Sequence, residues 1–258
     1  MNRVFLIFIW IPISANLCAQ DSLGRKNFWS VKVGAIATIP TVNQFEKKFE
    51  ALGAYSDFTI DPQYTIGSFI KTGYNRTLYF SGAYFILLKF LAGYQRSSYK
   101  ETATGEYWYS EFSVTSYKGT VNSVITADMI SFGFAPTFSV KICKNSYISN
   151  TVGIFSDLII HQYKKTEWNG IKDGSPVRET CNASRWEIIR PSIHFDYGVG
   201  LIYKMKNGML FMPTVETTYY PVGHTYYYIE KCISPSSLEW LYHPVKYFDV
   251  ILGLELYF

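Results

Sequence analysis

The sequence predicts an all-β fold: an eight-stranded antiparallel transmembrane β-barrel with short periplasmic turns and long external loops. The first observation is that segments along the 258-residue chain alternate apolar and polar side chains with a period of two. That period is typical of strands with two different faces. The second is that the connections between these segments are alternately long and short, as in outer-membrane barrels. An even number of strands then places both termini on the periplasmic side.

The last twelve residues show this alternation most clearly. One face carries only large apolar side chains: Phe248, Val250, Leu252, Leu254, Leu256 and Phe258. The opposite face carries Asp249, Ile251, Gly253, Glu255 and Tyr257. We assign the apolar face to lipid and the other to the inside of a closed barrel, because an open sheet edge cannot be left unpaired in a bilayer. A soluble, lipocalin-like carrier is the alternative, and it would place apolar side chains inside.

The other strands are predicted from the same alternation. They cover about residues 29–39, 64–74, 78–97, 122–142, 147–163, 191–204 and 209–220, and the eighth ends the chain. Turn-forming residues predict tight connections at Asn75-Arg76, Lys144-Asn145 and Asn207-Gly208. The long connections cover about 40–62, 98–120, 165–189 and 221–243.

The first long connection contains a helical signal. Residues 41–44 fit a capping box, and Phe45, Phe49 and Leu52 have helical spacing ahead of Gly53. A short amphipathic helix is therefore expected there, either as a lid over the barrel or as a packed loop.

The N-terminus has the features of a secretory signal. Arg3 precedes an apolar run at 4–13, and small residues at 14–20 suit cleavage. We therefore expect a signal peptide at 1–20 and one barrel domain at 21–258. An exported chain can keep disulfides, and a bond between Cys181 and Cys232 would join the third and fourth long loops. Cys143 is expected at the opposite end of the barrel.

The signal segment, the run Tyr197-Gly-Val-Gly-Leu201 and the terminal Leu254-Glu-Leu-Tyr-Phe258 resemble the small outer-membrane β-barrel family of Bacteroidota that includes PorT-like proteins. The resemblance covers about residues 28–258. It implies a barrel fold and an outer-membrane location, and it transfers no catalytic residue.

The predicted inward face is rich in charge. It holds Lys32, Lys71, Lys89, Asp157, His161, His194, Asp196, Glu216, Asp249 and Glu255. An eight-stranded barrel is narrow enough for side chains to fill it, and buried charges must pair. The expected result is a salt-bridged interior, and a narrow polar channel is the alternative. Ser192, His194 and Asp196 share one face of one strand, which raises the further alternative of a lipid A-modifying hydrolase.

The leading interpretation is a non-enzymatic outer-membrane barrel, either structural or a docking component of a cell-surface or secretion assembly. Its expected partners are outer-membrane lipid and other envelope or secretion proteins, and the barrel itself is expected to be monomeric. The net charge of +4 is modest and unclustered, so no nucleic-acid partner is expected. No cofactor and no metal site are expected either.

Overall fold

The structure is a computed structural model that describes residues 26–41, 45–51, 54–109, 115–186, 192–220 and 247–258. The predicted signal peptide lies outside these residues. The described residues form eleven strands: β1 Asn27–Pro40, β2 Phe45–Ala51, β3 Ala54–Gln63, β4 Thr65–Phe80, β5 Tyr84–Tyr109, β6 Thr115–Cys143, β7 Ser146–Lys172, β8 Ser175–Trp186, β9 Ser192–Lys204, β10 Leu210–Tyr219 and β11 Tyr247–Tyr257. None of the described residues belongs to a helix long and apolar enough to cross a membrane.

Eight of these strands form a closed antiparallel ring. The ring runs β1, β4, β5, β6, β7, β9, β10 and β11, and β11 returns to β1. The closing pair is in register from Ser30 opposite Tyr257 to Pro40 opposite Tyr247. The predicted fold class is therefore confirmed, because every strand of the ring has a hydrogen-bonded neighbour on both sides.

Large apolar side chains cover the outside of the ring. On β6 they run from Ile130 to Val140, and on β9 from Ile193 to Tyr203. Each run matches the roughly 9–11 residues that a tilted strand needs to cross a bilayer. We call this surface the belt. Phe134 is 44% exposed and Leu252 is 57% exposed, and a contiguous exposed apolar surface of this kind marks a face that contacts lipid or another protein.

Three of the described turns lie at one end of the ring together with Lys26 and Phe258, the first and last residues that the structure describes, and we call this end the turn end. Lys144-Asn145 turns as predicted, and the turn at Asn207-Gly208 uses a positive φ of 84° at Gly208. The turn predicted at Asn75-Arg76 is wrong, because both residues lie inside β4 and pair with Lys89 and Leu88 of β5. The chain turns instead around Gly82, whose φ of 77° favours glycine.

Three strands continue far beyond the belt at the other end. β5, β6 and β7 contain 26, 29 and 27 residues, and their outer parts pair with β3 and β8. The result is a six-stranded sheet in the order β2-β3-β5-β6-β7-β8, which we call the extension. Much of the three connections predicted as long loops near residues 40–62, 98–120 and 165–189 is therefore strand. The fourth, at about 221–243, lies outside the described residues.

The short helix expected near residues 41–53 is also wrong where the chain is described. Residues 45–51 form β2, which pairs with β3 from Phe45 opposite Ile60 to Ala51 opposite Ala54. A helix this short is only marginally stable by itself. Pairing with β3 in the sheet therefore prevails over the helical spacing of the apolar residues.

Candidate functional site: the charged lumen

The ring closes around a lumen that begins, at the turn end, with an apolar floor. Its members are buried and packed together: Phe28, Phe85, Leu87, Tyr147, Ile202, Leu210, Met212 and Tyr257. The rings of Phe85 and Tyr147 meet edge to face at 5.0 Å. These side chains occupy the space within the ring, so the lumen is filled at this end.

The first charged pair lies directly above the floor. Lys89 Nζ donates to Glu255 Oε2 at 2.8 Å and to the Tyr257 hydroxyl oxygen at 2.7 Å. Both charged residues are buried, with Lys89 1% and Glu255 0% exposed. Desolvation of each ion is offset by the partner, so neither can be removed alone without leaving an uncompensated charge.

A second charged pair and a lysine between two aromatic rings follow along the lumen. Lys32 Nζ donates to Glu216 Oε1. Lys71 Nζ lies 4.4 Å from the centre of the Phe155 ring and 5.7 Å from that of Phe69. An ammonium over an aromatic face is stabilised by the ring quadrupole, which accounts for a lysine buried between two phenylalanines.

His194 is the centre of the third level. Its Nδ1 lies 3.2 Å from Asp157 Oδ2, and its Nε2 lies 3.5 Å from Asp196 Oδ1. Thr218 donates to Asp196 at 2.7 Å, and the imidazole stacks on Phe155 with centroids 5.4 Å apart. A carboxylate therefore lies beside each ring nitrogen, and the imidazole is enclosed by two acidic side chains and an aromatic ring.

Ten residues were predicted from the alternation to face the inside of the barrel. Nine of its members lie buried within the ring: Lys32, Lys71, Lys89, Asp157, His194, Asp196, Glu216, Asp249 and Glu255. Asp249 accepts from the Tyr220 hydroxyl at 3.1 Å. The sequence did not identify Tyr257, Thr218 and Tyr220 as hydrogen-bond partners of these charges, although alternation places both Tyr257 and Thr218 on the inward face.

His161 is the exception, and its inward assignment is wrong. Asp128 pairs with His161 while the next residue, Met129, pairs with Ile159, so β7 carries one extra residue at this point. A β-bulge of this kind shifts every later side chain to the opposite face. His161 therefore points outward, where its Nδ1 lies 3.1 Å from Asp128 Oδ2.

The inner face of the extension also holds a buried cation. Lys164 is 1% exposed, and burial lowers its pKa to about 8 because the ammonium is poorly solvated, while nearby Glu101 acts in the opposite direction. Above it, Phe58, Ile60, Ala103, Tyr117 and Val121 form an apolar cluster. The extension therefore has an organised inner face.

The arrangement does not support nucleophilic catalysis at Ser192, His194 and Asp196. Ser192 is half-buried and stands opposite Asp157 in the β7–β9 register. Within the described residues no hydroxyl is bonded to His194, whose two nitrogens face Asp157 and Asp196. A general base needs an unprotonated nitrogen next to its nucleophile. Among the described residues, no group of three or more His, Cys, Asp or Glu side chains has an arrangement that could hold a metal ion.

The two cysteines that the structure describes, Cys143 and Cys181, lie at opposite ends of the molecule. Cys181, in β8, is disulfide-bonded, and its predicted partner Cys232 lies outside the described residues. Cys143 is a free, exposed thiol at the turn end.

A closed eight-stranded ring, an exposed apolar belt and a buried charged lumen define a transmembrane β-barrel protein of the outer-membrane type. The chain matches no family model and no curated protein sequence.

Several solved structures are similar to this chain, and three of them have the following identities and coverages. Neisserial surface protein A is 10% identical, with a TM-score of 0.37 over 90% of this chain and 96% of that one. Ail, the attachment invasion locus protein of Yersinia pestis, is 12% identical, with a TM-score of 0.32 over 91% and 100%. The outer membrane protease OmpT of Escherichia coli is 12% identical, with a TM-score of 0.35 over 90% and 95%.

Proposed function

We propose that this chain is a non-enzymatic protein of the bacterial outer membrane, and that its extension is a docking element of a cell-surface or secretion assembly. The extension carries this proposal. Within the described residues, β2 is paired only with β3 and β8 only with β7, so the six-stranded sheet has two edges. Edge strands present unpaired backbone groups that can accept a strand from a partner.

The orientation follows from the same proposal. Short turns lie on the periplasmic side of outer-membrane barrels and longer segments outside, so both chain ends are periplasmic and the extension projects from the cell. The predicted signal peptide and the resemblance to PorT-like proteins of Bacteroidota agree with this placement. The barrel acts as a monomer in lipid.

The two alternatives have less support. A narrow polar channel needs a continuous path, whereas the apolar floor fills the lumen at the turn end. Above the floor, the Lys89–Glu255 and Lys32–Glu216 pairs occupy the centre. A lipid A-modifying hydrolase needs a nucleophile beside its base, and His194 faces two carboxylates instead.

The test removes part of the extension and leaves the ring. Thr38 of β1 pairs with Thr65 of β4, so residues 41–63 can be replaced by a four-residue glycine-rich turn without changing the β1–β4 register. We expect the variant to reach the outer membrane and to keep the heat-dependent gel shift of a folded barrel. Partners that crosslink to the full chain in intact cells are expected to be lost.

A Lys144→Gln variant at the turn end serves as the control and should keep every crosslink. If the shortened chain keeps the same crosslinked partners, the docking role of this half of the extension is wrong. If neither the shortened chain nor the Lys144→Gln variant fractionates with the outer membrane, the whole proposed function is wrong.

A further inference from the structure

The outward face of three neighbouring strands changes from apolar to polar at one register row. On β5 the change falls between Tyr94 and Arg96, and on β6 between Ile130 and Asp128, where Arg96 and Asp128 are paired. On β7 the belt ends before His161, which is paired with Asp128. Beyond this row the outward side chains are mostly polar: Ser98, Lys100, Thr102, Thr120, Asn122, Thr126, Lys165 and Glu167. The row therefore marks the border of the belt.

A local irregularity in β7 brings the histidine to this border. Without the extra residue between Ile159 and His161, regular alternation would direct His161 into the lumen. Bulges commonly re-aim one side chain at a functional position. Here the bulge adds an imidazole to the outer surface beside an arginine and a carboxylate.

Asp128 holds this cluster together. Its Oδ1 accepts from the Tyr94 hydroxyl and lies 3.2 Å from Arg96 Nε. Its Oδ2 lies 3.1 Å from His161 Nδ1. The carboxylate side chain is only 10% exposed, so it is covered by the groups that it orients.

The guanidinium of Arg96 is bound to protein through one nitrogen, and its remaining nitrogens face the surface. The contact to Asp128 uses Nε, and the arginine side chain remains 52% exposed. Within the described residues no protein group binds its two terminal nitrogens. A guanidinium fixed in this way presents a planar pair of donors, which is the geometry that suits phosphate oxygens.

We propose that Arg96, oriented by Asp128 and flanked by His161, binds a phosphate of an outer-leaflet lipid headgroup. The proposal rests on the outer-membrane placement given above, because that placement puts the border of the belt at headgroup depth. Lys100, four residues further along the same strand, supplies a second cation. It lines a surface groove of about 530 Å³ together with Ile39, Pro40, Pro62, Gln63 and Tyr64, so apolar side chains lie next to Lys100.

The experiment measures lipid retained by the folded full chain in detergent, using native mass spectrometry. The probes are a bisphosphorylated lipid A, the same lipid after dephosphorylation, and inorganic phosphate as a competitor. We expect Arg96→Gln to reduce retention of the bisphosphorylated lipid about tenfold, since a charge-assisted hydrogen bond contributes on that order to binding. Arg96→Lys keeps the positive charge but loses the planar pair of guanidinium donors. Its lipid retention should lie between that of the unmodified chain and that of Arg96→Gln.

Arg178→Gln is the matched control, because Arg178 is exposed on β8 opposite Asn169, well beyond the border. It should retain the lipid as the unmodified chain does. The heat-dependent gel shift confirms that each variant is folded.

Equal retention of the bisphosphorylated lipid by Arg96→Gln and the unmodified chain, or equal retention of the dephosphorylated and bisphosphorylated lipids, would overturn the proposal. Displacement of the lipid by micromolar inorganic phosphate would overturn it in favour of a free-phosphate site. All of these outcomes leave the docking role untouched, since that role is tested on the shortened chain.

Discussion

Replacing Lys89 with methionine lowers the free energy of unfolding by about 3–5 kcal/mol, because the substitution leaves Glu255 buried and unpaired. Lys89 is the direct donor to Glu255 and to the Tyr257 hydroxyl, and the two charged side chains are 2% and 0% exposed. Methionine fills a similar volume, so packing changes little and the lost charge dominates. The measurement is urea unfolding of the barrel in lipid vesicles.

Two matched variants isolate the cause. Lys118→Met removes a lysine that pairs with Glu106 on the outside of the extension, where the side chains are 77% and 47% exposed, and it should cost about 0–1 kcal/mol. Lys89→Met combined with Glu255→Gln removes both charges and should recover much of the loss. An equal cost for Lys89→Met and Lys118→Met would mean that the lumen is hydrated rather than closed.

Replacing Leu252 with arginine should cost about 2–4 kcal/mol, because the side chain would enter the middle of the bilayer. Leu252 lies between Ala35 and Val215 in the sheet and is 57% exposed on the belt. Thr120→Arg places the same side chain on the outward face of β6 beyond the border, where about 0.5 kcal/mol or less is expected. Urea unfolding in vesicles measures both variants.

The neighbouring position tests the opposite face. A Cβ at Gly253 would lie 2.6 Å from Thr214 Oγ1 and 3.0 Å from Lys32 Cε, so Gly253→Arg acts by overfilling the lumen. The cost at Leu252 should therefore change with the thickness of the bilayer, and the cost at Gly253 should not. The same thickness dependence at both positions would contradict the assignment of the two faces.

The eight strands of the ring could be predicted because apolar and polar side chains alternate with a period of two residues along each of them. Alternation places Phe248 outward and Asp249 inward without any knowledge of their neighbours. The same alternation placed nine of ten predicted interior residues inside the ring, because it is regular along the strand segments that carry them.

What could not be predicted depends on partners that are distant in the sequence. His161 has the parity of an interior residue, and only the mismatch between β6 and β7 at Asp128 and Met129 reverses it. Asn75-Arg76 has turn-forming residues, yet cross-strand pairing with Lys89 and Leu88 keeps it extended. The extension was expected to be loops because its outward side chains are polar, and its inner apolar cluster is assembled from β3, β5 and β6, which are distant in the sequence.

The most direct test of the belt is a spin-label accessibility profile along the outward positions of β6, with Cys143 replaced by serine. Labels at Thr120, Asn122 and Thr126 sample the extension, and labels at Ile130, Phe134 and Phe138 sample the belt. The account predicts that a water-soluble nickel chelate reaches the first three and that oxygen dissolved in lipid dominates at the last three, with the change at Asp128. A nickel chelate that reaches Phe134 as readily as Thr120 would contradict it.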